Sequence, residues 1–422
     1  MRYLYSFLFY LALPFVFLRL LWRSRRSAAY RRRWPERLGF YPFTLQQCIW
    51  VHAVSVGETI AAKPLIEGLL ARYPSIPIVV TTMTVTGAAQ VEKLFGQRVR
   101  HAYIPYDLPD ATARFLRRIR PIVGVIMETE LWPNLLNACQ QQQVPVYLLN
   151  ARLSEQSARG YQRIRFAHHM FDQIKCIAAH GQADAERFIA LGADPKRVVV
   201  TGSIKFDLQL PADLMLASER LREQLGKDRF IWVAASTHAG EEEKVLAVHQ
   251  ALREKYPHSL LVLVPRHPER FDAVAKMCEQ SFVTARRSQS NACTPDTAVY
   301  LADTMGELML MYGASEVAFI GGSFVPTGGH NMLEPAALAK PVLTGPHLFN
   351  FAEISQLLQS SNAMTVVQDE AALIQQLLLL ANDTAIRTQM GLRAKAVVDA
   401  NRGALAKQLS IIEHSIDPST GA

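Results

Sequence analysis

Short apolar runs alternate with longer helix-like segments through most of this chain, and this alternation restricts the possible folds more than any other feature. A first series of runs, each interpreted as a strand, occupies residues 48–53, 76–82, 122–127, 144–149 and 174–179. A second series occupies residues 230–235, 259–264, 298–301, 317–320, 341–343 and 363–367. Strands that alternate with helices form parallel sheets covered by helices on both faces. The sequence therefore predicts two doubly wound, Rossmann-like α/β domains.

The domain boundaries are predicted from the places where this alternation starts and stops. Residues 1–33 form an apolar segment with a basic flank, and residues 34–201 form the first domain. Residues 202–216, which carry Pro211, interrupt the alternation and are predicted to link the two domains. Residues 217–422 then form the second domain with its terminal helices. Two such domains suit a transferase that holds a donor and an acceptor on opposite sides of a cleft.

The N-terminal segment from Tyr3 to Trp22 is apolar over nearly the roughly 20 residues that cross a bilayer. Residues 1–33 hold eight Lys and Arg and no acid, which leaves 37 basic and 37 acidic residues elsewhere. A nucleic-acid binder would carry a basic face on its fold, so we predict a membrane anchor and no nucleic-acid partner. The arginines after the apolar segment place the body on the cytoplasmic side. Whether the helix spans the bilayer or lies in its interface stays open, and a buried helix is the alternative.

Acidic residues follow two of the predicted strands in the first domain. Gly57 permits a tight turn after the first strand, and Glu58 then starts a helix beside the edge where ligands bind in such sheets. Glu58 is either a helix-start carboxylate, worth about 0.3–1 kcal/mol, or a general base. Glu128 and Glu130 follow the strand at 122–127. Only one of them needs to face a ligand, and Glu128 is nearer the strand end.

Three turns in the second domain have both a functional and a structural interpretation. The turn from Ser236 to Glu242 could bind an anion at a helix start, or Ser236 or Thr237 could simply cap that helix. Arg266 could pair with a phosphate or carboxylate, or Arg266 or Arg270 could pair with Glu269 on the surface. The remaining turn runs from Thr304 to Leu308. It could form a capping box between Thr304 and Glu307, or its backbone N–H groups could receive a nucleotide.

The most specific stretch runs from Gly321 to Ala336 and contains two Gly-Gly pairs. Backbone without side chains lets a phosphate approach closely, and Glu334 could accept hydrogen bonds from ribose hydroxyls. The stretch is not a Walker A loop, since no Gly-Lys-Ser/Thr follows. His330 is a weak metal candidate because no second ligand stands at metal spacing. Five scattered cysteines without CxxC spacing also argue against zinc and favour a reducing compartment.

Several of these motifs together resemble one family, the 3-deoxy-D-manno-octulosonic acid (Kdo) transferases of lipopolysaccharide synthesis. They are Ser55-Val56-Gly57-Glu58, the stretch from Glu128 to Asn134, the stretch from Asn150 to Ser154, Lys205-Phe206-Asp207, and the stretch from Gly328 to Ala336. The resemblance covers essentially the whole chain. It implies a GT-B fold and transfer of Kdo from CMP-Kdo to a lipid A precursor (lipid IVA, a tetraacylated disaccharide bisphosphate), with inversion. It also implies the cytoplasmic face of the cell inner membrane.

The resemblance assigns roles to individual residues. Glu58 is expected to be the general base, and Glu128 and Lys205 are expected to stabilise the transition state. The expected CMP contacts are Pro265, Arg266, Gly306, Glu307, Leu308, Asn331, Met332, Leu333 and Glu334. One departure is Gly202-Ser203-Ile204 before Lys205, where the family pattern has Gly-Asn, so an amide contact there is in doubt.

No cofactor and no metal are expected. CMP-Kdo carries one phosphate rather than a pyrophosphate, and the chain lacks an Asp-x-Asp motif. The expected partners are CMP-Kdo, the lipid A precursor and inner-membrane lipids. Two alternatives stay open: a GT-B transferase that uses a UDP-sugar, and a membrane-tethered nucleotide or lipid binder without catalysis.

Overall fold

The computed structural model describes residues 2–25, 33–162, 167–290 and 292–417. The chain divides into two compact units. The first comprises Met1–Asp207 together with Arg402–Ala422, and the second comprises Leu208–Asn401.

The first unit is built on a parallel sheet that has seven strands among the described residues. The strands are β1 (Cys48–His52), β2 (Ile78–Thr82), β3 (Arg100–Tyr103), β4 (Pro121–Met127), β5 (Val146–Ala151), β6 (Cys176–Ala179) and β7 (Val198–Val200). Their order across the sheet is β3-β2-β1-β4-β5-β6-β7. The central strands are continuous apolar runs because helices cover both faces of the sheet. The chain moves outward on one side of β1 and then returns to its other side, so the topological switch point lies between β1 and β4.

Helices flank this sheet. They are α1 (Arg2–Ser24), α2 (Val56–Arg72), α3 (Val85–Phe95), α4 (Pro109–Ile119), α5 (Pro133–Gln141), α6 (Glu155–Gln162), α7 (Ala167–Phe171) and α8 (Gln182–Ala190). The sequence predicts a single helix over residues 154–170. The structure has α6 and α7 there, and residues 163–166 lie outside the described residues.

The second unit repeats the plan, with seven parallel strands over its described residues. The strands are β8 (Ile231–Thr237), β9 (Leu260–Pro265), β10 (Thr284–Arg286), β11 (Val299–Leu301), β12 (Val317–Ile320), β13 (Val342–Thr344) and β14 (Met364–Val366). The order β10-β11-β9-β8-β12-β13-β14 places its switch point between β8 and β12. The helices are α9 (Leu214–Leu225), α10 (Glu242–Lys255), α11 (Phe271–Glu279), α12 (Leu308–Ala314), α13 (Leu333–Ala337), α14 (Ala352–Ser360), α15 (Glu370–Asn382) and α16 (Thr384–Ala400). The predicted pair of doubly wound α/β domains is confirmed.

The final helix, α17 (Ala404–Ile416), corrects the predicted boundaries. It belongs to the first unit, where it packs on α2 and β4. Leu409 and Ile412 are buried in the apolar core that the first unit forms around Ile66. The assignment of all of residues 217–422 to the second domain is therefore wrong for this helix. The predicted linker at 202–216 is also displaced, since the units divide between Asp207 and Leu208 and α9 begins at Leu214.

Candidate functional site

The first group of candidate residues lies where β1 runs into α2. Ser55 is the N-cap of α2, and its Oγ accepts a hydrogen bond from the Glu58 backbone N at 3.3 Å. The same hydroxyl donates to Glu58 Oε1 at 2.9 Å, and the Val54 backbone N donates to Glu58 Oε2 at 2.8 Å. These bonds confirm the helix-start interpretation of Glu58, and the general-base role stays a prediction. The carboxylate is held at the start of α2 by the Ser55 hydroxyl and the Val54 N–H, and these bonds fix its position at the edge of the sheet.

Burial changes the acid–base character of Glu58. Its side chain is buried, and burial raises the pKa of the carboxyl to about 7, although the hydrogen bonds from Val54 and Ser55 oppose the rise. The negative charges of Glu130 and Glu128 raise the pKa further. A carboxylate with a pKa near neutrality is suited to take a proton from a hydroxyl at physiological pH.

Glu128 follows β4, the neighbour of β1, so Glu58 and Glu128 lie on the two sides of the switch point, at the same edge of the sheet. It adopts a left-handed backbone conformation with φ 57°, and its N–H donates to the Leu149 carbonyl at 3.1 Å. Such a conformation is uncommon outside glycine and turns the chain sharply at the strand end. Glu130 accepts from Trp132 Nε1 at 3.3 Å, and burial raises its pKa. Glu130 is thus the one of the two acids that is bound by a neighbouring side chain.

Lys205 lies in a single 3₁₀ turn, Ile204–Phe206, that packs against α2. The backbone N of Ile204 donates to Asn150 Oδ1 at 3.1 Å, and Ile204 itself is buried in the same core as Ala62. The Lys205 side chain is half-buried. The turn therefore carries the lysine on the part of the first unit that also holds Glu58.

Two further residues hold the Lys205 turn, and sequence reasoning missed their role. Buried Gln408 on α17 accepts from the Asn150 backbone N at 3.1 Å and donates to Thr201 Oγ1 at 3.0 Å. Asp207 accepts from the backbone N of Gly403 and of Leu405, each at 2.6 Å. Asp207 belongs to a motif that the family resemblance marks. Gln408 has no local signal, because its partners lie about 200 or more positions away.

In the second unit, a buried carboxylate occupies the position predicted for a bound anion. Glu241 is fully buried and accepts from the backbone N of His238 at 2.9 Å. It also accepts from the backbone N of Gly322 at 2.7 Å, Ser323 at 3.0 Å and Phe324 at 2.9 Å. The predicted phosphate approach at the first Gly-Gly pair is therefore wrong, since the protein's own carboxylate takes those N–H groups. Glu241 also stands at the N-cap of α10, so the capping role considered for Ser236 or Thr237 is wrong too.

Three histidines and Arg266 gather beside this turn. His238 Nε2 and His330 Nε2 are 2.8 Å apart, and the His267 ring centroid lies 5.2 Å from that of His238. Burial lowers the pKa of His330 to about 4, and the neighbouring charges of His238 and Arg266 lower it further. Arg266 is exposed directly after Pro265, at the end of β9. Its position leaves the guanidinium accessible to an anion.

The surface ion pairs considered for Glu269 are not those that form. Arg270 donates instead to Glu242, at 2.5 and 3.1 Å. The Glu269 carboxylate lies 3.8 Å from His267 Nδ1.

The turn at Gly306 differs from the capping box considered for it. Helix α12 begins at Leu308, and Glu307 itself is the N-cap, so Thr304 lies outside the helix. Glu307 accepts from Arg287 at 2.7 and 3.1 Å and from the Thr304 hydroxyl. Its carboxylate is thus already paired with a cation. Gly306 has φ 89°, a conformation that favours glycine.

In the segment from Asn331 to Glu334, the side chains of Asn331 and Glu334 are partly exposed and the two between them are buried. Asn331 Oδ1 accepts from the Leu333 backbone N at 3.1 Å, and Asn331 Nδ2 donates to Glu334 Oε1 at 3.0 Å. Met332 and Leu333 are buried, so only their backbone is available for a ligand. Burial raises the pKa of Glu334, and the amide of Asn331 opposes that rise.

Two parallel α/β sheets with functional groups at the carboxyl ends of their strands define the class: this is a GT-B protein. The fold is shared with UDP-GlcNAc 2-epimerase from Neisseria meningitidis, which is 15% identical with a TM-score of 0.56, covering 88% of this chain and 99% of that one. A solved C-terminal CMP-Kdo binding domain of WaaA from Acinetobacter baumannii is 36% identical over 44% of this chain and 99% of that domain, with a TM-score of 0.43.

Sequence comparison identifies the family within that class. The 3-deoxy-D-manno-octulosonic-acid transferase (kdotransferase) family profile matches residues 32–208. A 3-deoxy-D-manno-octulosonic acid transferase of Haemophilus influenzae is 42% identical over 98% of both chains. Another, of Bordetella pertussis, is 37% identical over 93% of this chain and 95% of the relative. The chain belongs to the Kdo transferase family and is a Kdo glycosyltransferase.

Proposed function

We propose that this protein transfers Kdo from CMP-Kdo to a lipid A precursor, lipid IVA, with inversion at the anomeric carbon. The observation that carries the proposal is the buried Glu58 carboxylate, whose pKa is raised to about 7 at the edge of the first sheet. Membership of the Kdo transferase family supports the sugar that is transferred. The donor, the acceptor and the stereochemistry belong to the proposal.

In the proposed reaction, Glu58 removes the proton from an acceptor hydroxyl as the oxygen attacks the anomeric carbon of Kdo. The bond between that carbon and the CMP phosphate oxygen breaks, and the electron pair leaves with CMP. A single displacement of this kind inverts the anomeric centre. The proton stays on Glu58 until solvent removes it, so the carboxylate is regenerated for the next cycle.

The remaining residues of the first unit would stabilise the developing charges. The sugar ring acquires positive character as the leaving group departs, and Glu128 supplies negative charge near Glu58. Lys205 supplies positive charge for the departing phosphate. The hydrogen bonds that Asn150 and Asp207 make around the Lys205 turn support this role, because a fixed charge stabilises a transition state without reorganising.

The second unit would hold the CMP part of the donor. Arg266 would pair with the phosphate, next to Pro265. The backbone of Gly306, Glu307 and Leu308 would contact the nucleotide, since the Glu307 carboxylate is already bound by Arg287. Glu334 would accept hydrogen bonds from the ribose hydroxyls, Asn331 would bond to the nucleoside through its amide, and Met332 and Leu333 would contribute only backbone. The reaction is proposed to need no cofactor and no metal.

The membrane location is also proposed. Helix α1 is long and apolar enough to cross a membrane by length and composition. An acceptor with lipid tails lies in a membrane, so a membrane-bound helix would keep the protein next to that substrate. We assign the body to the cytoplasmic face of the inner membrane, on the basis of the arginines that follow the apolar segment.

The test is CMP release from freshly prepared CMP-Kdo, with and without lipid IVA, in detergent. We expect release that depends on the acceptor and that falls by about 100-fold or more in Glu58→Gln, which is the lower end of what a general base contributes, while CMP binding is retained. Glu67→Gln, a half-exposed glutamate on the same helix, is the matched control and should stay near wild type. If the wild type released no CMP, the donor would be wrong and UDP-sugars would be tested next.

A further inference from the structure

One side of helix α1 packs along the body of the first unit. Five apolar side chains on one side of α1 pack against Tyr106, Leu108 and Ala111 of the body. They are Phe9, Leu13, Val16, Phe17 and Leu20. Asn134 Nδ2 donates to Ser6 Oγ at 3.0 Å, and Tyr10 donates to Asp110 at 2.5 Å. The packed stripe therefore extends over most of a helix of 23 residues. Such a helix is about 34 Å long.

The opposite side of α1 is apolar and exposed. Six large side chains repeat on it at three- or four-residue spacing: Tyr3, Phe7, Leu11, Phe15, Leu18 and Trp22. Tyr3 is 80% exposed and Phe15 is 73% exposed. A continuous exposed apolar stripe of this length marks a surface that binds another apolar phase.

The packed side and the exposed side together limit the orientation that α1 can take in a bilayer. A helix that crosses the hydrocarbon core is surrounded by lipid over about 30 Å. If α1 crossed while keeping its packed stripe, the turn before α4 that carries buried Asp107, and the buried Asn134 of α5 that bonds to it, would enter the hydrocarbon. Charged groups and irregular backbone are costly there. The packing is compatible instead with a helix that lies in the plane of one leaflet.

A recess rich in arginine opens beside this helix. It has a volume of about 370 Å³ and is lined by Gly39, Phe40, Thr44, Arg114, Arg117 and Arg118, which we call the arginine recess. Asp110, which holds Tyr10 of α1, also pairs with Arg114 at 2.6 Å. Arg117 and Arg118 lie on the following turn of α4, about 10–12 Å from Asp110 along the helix axis. The recess and α1 are thus joined through one carboxylate.

The side chains of the recess are arranged for an anion at an apolar boundary. Arg114 is held by two hydrogen bonds to the Leu38 carbonyl, at 2.8 and 3.1 Å, and its guanidinium lies 4.5 Å over the Phe40 ring. Arg118 donates to Thr44 Oγ1 at 2.8 Å, and both Arg117 and Arg118 are exposed. Phe40 is 51% exposed. Guanidinium groups bind phosphate in a bidentate manner.

We propose that α1 and the arginine recess form one membrane-docking surface. The exposed face of α1 inserts into a single leaflet, α1 lies in its plane, and the recess binds the phosphate of an anionic phospholipid headgroup. The proposal rests on the membrane location proposed above and adds how the protein lies on the membrane and which lipid chemistry it selects. It does not depend on the sugar donor.

Partition of the full-length protein onto lipid vesicles tests the headgroup site. The variant Arg117→Gln/Arg118→Gln is compared with Arg220→Gln/Arg393→Gln, which removes two exposed arginines from the second unit. On vesicles of equal parts phosphatidylcholine and phosphatidylglycerol, the first variant should bind about 30-fold more weakly than wild type, at about 1 kcal/mol for each arginine. The control should stay within about twofold of wild type, and the two variants should bind phosphatidylcholine vesicles alike.

Several results would overturn the headgroup site. They are equal losses in both variants, no loss in the recess variant, and displacement of the protein from anionic vesicles by inorganic phosphate at matched ionic strength. Displacement would show that the recess takes free phosphate. CMP release in detergent, measured in parallel, reports on the proposed transfer reaction separately, because neither variant touches the residues assigned to it.

Protease treatment of spheroplasts tests whether α1 lies in the plane. An N-terminal epitope tag should resist protease added outside intact spheroplasts and be cleaved after lysis, because both ends of an in-plane helix stay on the cytoplasmic side. Cleavage in intact spheroplasts would mean that α1 spans the membrane and would overturn this part of the proposal.

Discussion

The hydrogen bond from Ser55 to Glu58 leads to a prediction about the pH dependence of the reaction. If Glu58 acts as the base in its ionised form, kcat/KM should fall as the pH drops through the Glu58 pKa of about 7. The fall should approach about tenfold per pH unit. Replacing Ser55 by Ala removes a hydroxyl that donates to the ionised carboxylate. The protonated form is then favoured, and the pKa should rise.

The size of the shift follows from the strength of that bond. A hydrogen bond to a charged group contributes about 1.5–3 kcal/mol, and one pKa unit corresponds to about 1.4 kcal/mol. We therefore expect the midpoint of the pH profile in Ser55→Ala to move upward by about 1–2 units. Activity at neutral pH should fall by about 5- to 50-fold and recover at alkaline pH, while Ser55→Thr should keep the wild-type profile.

The assay is kcat/KM for CMP release, measured from mildly acidic to alkaline pH. Losing a helix cap also costs about 1 kcal/mol of stability, so Thr84→Ala is the control, because Thr84 caps α3 without contacting an acid of the site. Thr84→Ala should lose similar stability with an unmoved pH midpoint. An unmoved midpoint in Ser55→Ala as well would refute the reasoning, because the titrating group would then not be the carboxylate that Ser55 binds.

Three further predictions concern the supports of the site and its metal requirement. Gln408→Ala leaves the buried N–H of Asn150 unpaired, so the free energy of unfolding in urea should fall by about 1–3 kcal/mol. The kcat should also fall while CMP affinity is retained. A normal kcat would show that Gln408 does not support the Lys205 turn in catalysis. Glu241→Gln sets an amide against four N–H donors and should cost at least about 3 kcal/mol, seen by calorimetry as a Tm lower by about 6–12 °C. Exposed Glu243→Gln is its control, and equal Tm values would contradict the prediction. Chelation with EDTA should leave CMP release unchanged, and a loss reversed by Mg²⁺ would show that metal is needed.

The sequence predicts the central strands of both sheets correctly because strands covered on both faces are continuous apolar runs. It misses β3, β7 and β10, which are short and polar or partly exposed. All three lie at sheet edges. An edge strand has one neighbour rather than two, so its sequence is less constrained to be apolar.

In the candidate site too, residues defined by their neighbours in sequence can be predicted, and residues defined by distant parts of the chain cannot. The sequence indicates Glu58 and Glu128 as candidates because Glu128 directly follows an apolar strand and Glu58 starts the helix after one. Glu241 cannot be interpreted correctly, since the backbone groups that surround it come from positions about eighty residues later. The apolar stripe of α17 predicts a buried helix but does not say which of the two cores receives it.

The return of α17 to the first unit has a consequence for synthesis. The second unit is an insertion in the first, and the Lys205 turn is held by Asp207 and Gln408, which flank that insertion. A ribosome that has just made Lys205 must add about two hundred more residues before Gln408 exists, which takes on the order of 10–40 s at bacterial rates. The residues added during that time are those of the second unit. The first unit gains α17, and the Lys205 turn its support from Gln408, only after the second unit has been made.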